Sequence, residues 1–94
     1  MEKRIVIPPN PIGKHELVLY KFDACPYCQR VFKALEKHKV VVTLRDTVID
    51  VQARNDLIQL TGRTQVPCLV IDGRPLFESL EIVEWLRAYA GQFY

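Results

Sequence analysis

The chain has no long apolar run. Its uninterrupted strongly apolar stretches, such as Val40-Val41-Val42, hold a handful of residues, against the ~20 that a helix needs to cross a bilayer. No secretory leader is expected either: after Met1-Glu2-Lys3-Arg4, only Ile5-Val6-Ile7 precede the first proline, too few for the apolar centre of a signal peptide. An excess of one charge is missing too. Thirteen basic residues face eleven acidic ones for a formal +2, scattered rather than clustered, which argues against a nucleic-acid partner. There is no internal repeat and no low-complexity stretch. The three cysteines are an odd number, which argues against a secreted disulfide scaffold. The expectation is a cytoplasmic protein with no membrane partner.

What is present fits one small soluble domain. The 94 residues are 49% apolar and 26% charged, close to the globular average. Residues 1–16 stand apart as an N-terminal extension, because Pro8, Pro9, Pro11, Asn10 and Gly13 cannot continue a helix or a central strand. A surface arm or a disordered lead-in is expected there, with the folded domain over 17–94. Leu17 to Phe22 reads as a buried strand. Pro26 suits a first helical turn, and Val31, Phe32 and Leu35 continue a helix to about residue 38. Val40 to Leu44 reads as a second buried strand. Asp50 can cap a helix running to about Leu60, with Val51, Leu57, Ile58 and Leu60 inward and Gly62 as its stop. Pro67 to Ile71 is a third strand, Asp72-Gly73 a hairpin signal and Pro75 to Phe77 the return. A last helix from Ser79 to about Ala90 places Leu80, Val83, Leu86 and Ala90 near one face. The order β-α-β-α-β-β-α implies a parallel first pair and an antiparallel last pair. The fold class is thus α/β, a small four-stranded mixed sheet with helices on both faces.

Chemistry concentrates in Cys25-Pro26-Tyr27-Cys28, where a strand ends and a helix begins. The leading amides of a helix lack internal partners, and that end carries roughly half a positive charge. A thiolate at Cys25 would gain hydrogen bonds and field stabilisation there. Cys28, one turn along, can close a disulfide with Cys25. It is expected inside the turn, leaving Cys25 as the exposed attacking sulfur. Half a zinc site is the competing reading, but zinc wants four ligands. Only Cys68, His15 and His38 remain as candidates, with no second CxxC and no HxxxH. Two unrelated core cysteines are a further alternative.

With these residues in view, Leu17 to Ala90 resembles the glutaredoxins and the N-terminal domain of glutathione transferases. Three segments carry the resemblance: the dithiol Cys25-Pro26-Tyr27-Cys28; Thr61-Gly62-Arg63-Thr64-Gln65-Val66-Pro67, similar to the family's Thr-Val-Pro loop; and Phe77-Glu78-Ser79-Leu80-Glu81-Ile82 at the last helix. The resemblance implies a thioredoxin-like fold, glutathione as thiol cosubstrate and a cis bond before Pro67. It also implies that Val66 pairs through its backbone with the cysteinyl part of glutathione, that Glu78 and Ser79 hold the γ-glutamyl end, and that Tyr27 covers the site. The Glu-Ser pair replaces the Gly-Gly and Asp residues of most small glutaredoxins and looks like glutathione transferases. Ser79 can also be a plain N-cap. Where many members carry a lysine for the glycyl carboxylate, this chain has Phe22. Lys21 is one residue off, and adjacent strand side chains point oppositely, so Lys21 is kept only as a weaker candidate for that carboxylate, with Arg63, also a weaker candidate, or Gln65 sharing the duty. Cys68 reads as a buried small hydrophobe, with a third redox or cluster-related thiol as the minority view. Lys33, Lys37, Arg30 and Glu36 read as a solvated helix face.

The function implied is a glutathione-dependent thiol–disulfide oxidoreductase. It would act on glutathionylated or disulfide-bonded proteins through Cys25 and Cys28, as a monomer without metal. Two rivals stand beside it. One is a stand-alone glutathione transferase domain, for which 94 residues leave no room for the usual helical domain. The other is a non-enzymatic glutathione- or iron–sulfur-binding module.

Overall fold

Leu17 and Leu19 are buried on one side of the first strand, while Val18 and Tyr20 face the other, the period-2 alternation of a strand covered on both faces. The computed structural model describes residues 9–93. The first half of the N-terminal extension, residues 1–8, and Tyr94 lie outside the described residues. The elements are β1 (Leu17–Lys21), α1 (Pro26–His38), β2 (Thr43–Asp46), α2 (Val51–Thr61), β3 (Cys68–Ile71), β4 (Arg74–Leu76) and α3 (Ser79–Gly91). The strands form one sheet in the order β2-β1-β3-β4. β1 is parallel to β2 and antiparallel to β3, and β4 returns antiparallel to β3. This is the thioredoxin-like arrangement read from the sequence.

Two cores flank the sheet. Leu17, Leu19, Leu69 and Ile71 meet Val31 and Ala34 of α1 and Ile82, Trp85 and Leu86 of α3. On the opposite face Tyr20, Cys68 and Val70 meet Ala53 and Leu57 of α2. The punctuation is as the residues dictate. Asp50 accepts hydrogen bonds from the Gln52 and Ala53 amides at 3.0 and 3.3 Å. Gly62 closes α2 at φ 74°, a conformation that costs glycine little. Asp72 and Gly73 both have positive φ, 50° and 83°, as a two-residue hairpin of the type I′ family requires.

Three expectations are corrected. The second strand is not Val40 to Leu44. Lys39 turns left-handed at the end of α1 (φ 55°), and the Lys39 and Val40 amides close back on Glu36 and Leu35. That turn uses up the valines before the chain can align with Val18, whose partner is Thr43. β2 is an edge strand rather than a buried one, with Leu44 half exposed. The inner face of α2 is Ala53 and Leu57, whereas Val51, Ile58 and Leu60 are exposed. Ala53 contributes too little to an apolar pattern to mark its own face. In α3 the buried stripe is Ile82, Trp85, Leu86 and Ala90, with Val83 at its margin and Leu80 turned outward.

Residues 9–16 form no helix or strand and lie along α3. Trp85 Nε1 donates to the Pro9 carbonyl at 2.7 Å. Gln92 Nε2 donates to the carbonyls of Pro11 and Gly13 at 2.7 and 2.9 Å, and the Gly13 amide donates to Gln92 Oε1. Among the described residues, no helix is long and apolar enough to cross a membrane.

Candidate active site

Cys25 is the residue immediately before α1, with extended backbone (φ −76°, ψ 119°), and Pro26 is the first helical residue. Proline fits there because the amide it lacks would have had no helical partner. The loop into the helix is tied down: the Cys25 amide donates to the Phe22 carbonyl at 3.3 Å, and Gln29 Nε2 donates to the Asp23 carbonyl at 2.6 Å. No side chain caps the helix, so its first amides are open to a charged sulfur or a ligand.

Both sulfurs are in the free thiol state. Cys28 is fully buried, as expected, but Cys25 is only 6% exposed. The expectation of an exposed Cys25 is therefore corrected to a nearly buried residue ahead of α1, where its amide closes a tight turn back on the Phe22 carbonyl. Burial is the main cause that pushes the Cys28 thiol up to about 12, with a backbone hydrogen bond at Phe22 opposing and a hydrogen bond to Cys25 adding to it. Cys28 thus keeps its proton at neutral pH. A thiol held protonated in this way suits a reserve role beside a separate nucleophile.

The sheet register brings the second motif to the same end of the molecule. Tyr20 pairs with Cys68 across the antiparallel β1–β3 ladder, so the segment leaving β1 lies beside the segment entering β3. The Val66–Pro67 peptide bond is cis. A groove of about 320 Å³ opens here, lined by Tyr27, Gln65, Val66, Pro67, Glu78, Ser79 and Leu80. The six residues expected to touch glutathione therefore line one groove, drawn from three separated segments of the chain.

The two weaker candidates are not among its lining. Lys21 Nζ pairs with Asp23 at 2.8 Å and with Asp46 at 3.2 Å, and the same two carboxylates hold its cation in place. Arg63 lies with its guanidinium 5.2 Å over the Phe77 ring. Ser79 is not the N-cap either. That position is Glu78, which has φ 69°, ψ 111° and makes no capping hydrogen bond. With that ψ the residue lies outside the left-handed helical basin that Lys39 occupies at the end of α1, and a non-glycine residue there is strained. Ser79 Oγ instead accepts a hydrogen bond from Arg30 Nη1 at 3.1 Å. The reading of Arg30 as mere solvated surface missed this. The available signal was its spacing, one turn beyond Tyr27 on the same helix side. Leu80 was missed as well, having been assigned inward.

Cys68 is fully buried among the residues facing α2, and burial pushes its thiol up to about 12. It is a packing residue, closed to solvent chemistry. Among the described residues no three His, Cys, Asp or Glu side chains cluster as a metal site would need. A second groove, of about 370 Å³, lies at the far ends of α1 and α3 and is lined by Lys37, His38, Lys39 and Arg87 without a cysteine.

The glutathione S-transferase N-terminal domain model matches residues 19–92. The chain belongs to that family. Its resemblance to the glutaredoxins is carried by relatives as well. It is 35% identical over 80 residues to Glutaredoxin-C8 of Oryza sativa subsp. japonica, covering 80% of this chain and 59% of that one. It is 30% identical over 76 residues to Glutaredoxin-C4 of Arabidopsis thaliana, covering 78% and 56%. The chain thus spans less than three-fifths of the length of these curated relatives. Among solved structures it resembles the thioredoxin-like protein BC3987, crystallised as a single-site variant, at a TM-score of 0.66 and 28% identity over 76% of this chain and 97% of that one. These likenesses agree with the fold and place the chain among relatives of a thiol oxidoreductase family.

Proposed function

We propose that the protein is a glutathione-dependent thiol–disulfide oxidoreductase of glutaredoxin type. Cys25 as thiolate attacks the glutathionyl sulfur of a protein–glutathione mixed disulfide. A new disulfide forms between Cys25 and glutathione, and the protein substrate departs as its thiolate. A second glutathione thiolate then attacks that disulfide, releasing oxidised glutathione and restoring Cys25. In net terms one glutathione is consumed: the protein sulfur returns to the thiol level, and the oxidised glutathione joins the incoming glutathione to the glutathionyl group taken from the substrate. For a protein disulfide, Cys28 attacks the mixed intermediate after losing its proton and closes a bridge with Cys25. The groove holds the tripeptide, with Val66 beside its cysteinyl part, Glu78 and Ser79 at the γ-glutamyl end, Gln65 toward the glycyl end and Tyr27 as cover. No metal takes part, and the reading fits a monomer in a reducing, cytoplasmic setting.

The observation that carries this reading is the convergence of the six groove residues, Tyr27 of the first turn of α1 among them, at the end of the sheet where Cys25 leads into that helix. The test is reduction of a glutathionylated peptide by single variants. Cys25→Ser is expected to abolish turnover, while Cys28→Ser retains it and loses only protein-disulfide reduction. Equal loss in both variants overturns the reading.

The match to the transferase domain model favours one second reading, conjugation of glutathione to an electrophile. Conjugation that survives Cys25→Ser and depends on Ser79 supports it over the first.

A further inference from the structure

Arg30 spends a guanidinium hydrogen bond on a neutral hydroxyl. Its Nη1 donates to Ser79 Oγ at 3.1 Å, and among the described residues it meets no carboxylate, unlike Arg45 and Arg87, which are paired with Asp56 and Glu84. Ser79 is 7% exposed and is the first residue of α3. The strained Glu78 before it leaves the leading amides of that helix without a side-chain cap. Positive character thus gathers at one end of the groove from two sources, a guanidinium and a helix N-terminus.

A serine hydroxyl has one proton and two lone pairs. Accepting from Arg30 occupies a lone pair and disfavours the rotamer that would aim the hydroxyl proton back at the guanidinium. The proton is left to donate into the groove that Ser79 lines. A carboxylate is the ligand group that such a donor and the open amides of α3 both suit.

We propose that Arg30 is a positioning residue for the γ-glutamyl carboxylate: it orients the Ser79 hydroxyl and so sets the preference for glutathione over thiols that lack the γ-glutamyl group. The inference rests on the glutathione reading above and adds to it a residue on α1, outside the three segments of the resemblance.

The experiment compares two mixed disulfides of one peptide, carrying glutathione or cysteinylglycine, which differ only in the γ-glutamyl group. Arg30→Met is expected to lower the ratio of kcat/KM values, glutathionyl over cysteinylglycyl, by about tenfold, the scale of one well-placed hydrogen bond. The loss should appear in KM rather than kcat. Arg30→Lys, which keeps a donor and the charge, should recover most of the ratio. In the Arg30→Met background Ser79→Ala should cost little more, since the two act as one unit. A wild-type ratio that survives Arg30→Met overturns this inference and leaves the glutathione reading standing. A wild-type protein that treats both disulfides alike overturns both.

Discussion

His15 Nδ1 lies 2.5 Å from Asp72 Oδ2, joining the segment ahead of β1 to the tip of the β3–β4 hairpin. The other ring nitrogen, Nε2, faces the Asn10 carbonyl at 2.8 Å. Two acceptors on the two nitrogens suit the doubly protonated ring, and the hydrogen bond to Asp72 is the main cause that raises the His15 pKa above 6.5. The Asp72 carboxyl is lowered by the same bond and by the Glu16 amide. Trp85 and Tyr89 of α3 pack against the ring without adding charge.

The sign of the pH effect follows. The His15 contribution is complete below its unfolded value of about 6.5 and fades as pH rises through the higher folded value. The Asp72 contribution is present above about 3.9 and is lost in acid. Urea midpoints of the wild type should therefore decline from neutrality toward alkaline pH relative to those of His15→Gln. Parallel profiles would show that the pair does not contribute.

Thiol chemistry should be confined to one position. With Cys28 and Cys68 both pushed up to about 12 and fully buried, iodoacetamide at neutral pH is expected to label Cys25 alone in the folded protein, and all three cysteines in denaturant. Peptide mapping by mass spectrometry checks this. Early labelling of Cys68 would contradict its place in the core.

The inner face of α2 can be weighed by two truncations. Leu57 is fully buried, so Leu57→Ala is expected to cost about 2–5 kcal/mol. Leu60 is 43% exposed, and Leu60→Ala should cost about 1 kcal/mol or less. Comparable losses in denaturant unfolding would restore the face expected from the apolar pattern.

The start of the same helix depends on one carboxylate. Asp50→Ala removes the acceptor for two amides and should destabilise the fold by about 1 kcal/mol. Asp50→Asn, which retains an acceptor, should lose much less in the same measurement.

These residues also mark where sequence reading succeeds. Asp50, Gly62 and Asp72-Gly73 act within a turn of chain, so their chemistry is local and their roles follow from identity and position. The dithiol and the Val66-Pro67 and Glu78-Ser79 motifs were legible as motifs, and the register of β1 against β3 explains why such distant segments meet. What escaped depends on tertiary context. The valines after α1 look like a strand until the left-handed turn at Lys39 is known. Ala53 outranks Leu60 as an inward residue only because the sheet face opposite offers Tyr20, Cys68 and Val70 as neighbours. Arg30 is indistinguishable from surface charge until Ser79 is brought within reach of it.

Trp85, the single tryptophan of the chain, has its indole N–H on the Pro9 carbonyl and its ring stacked on Tyr89 at 5.1 Å. Its ultraviolet emission is therefore an optical reporter of whether residues 9–16 are seated on the last helix, and of the protonation of His15 beside it. The groove is lined by the first residues of the same helix, Ser79 and Leu80, and not by Trp85. If glutathione binds as proposed, a spectral titration is expected to change little, so affinity is better followed by heat, mass or an extrinsic dye.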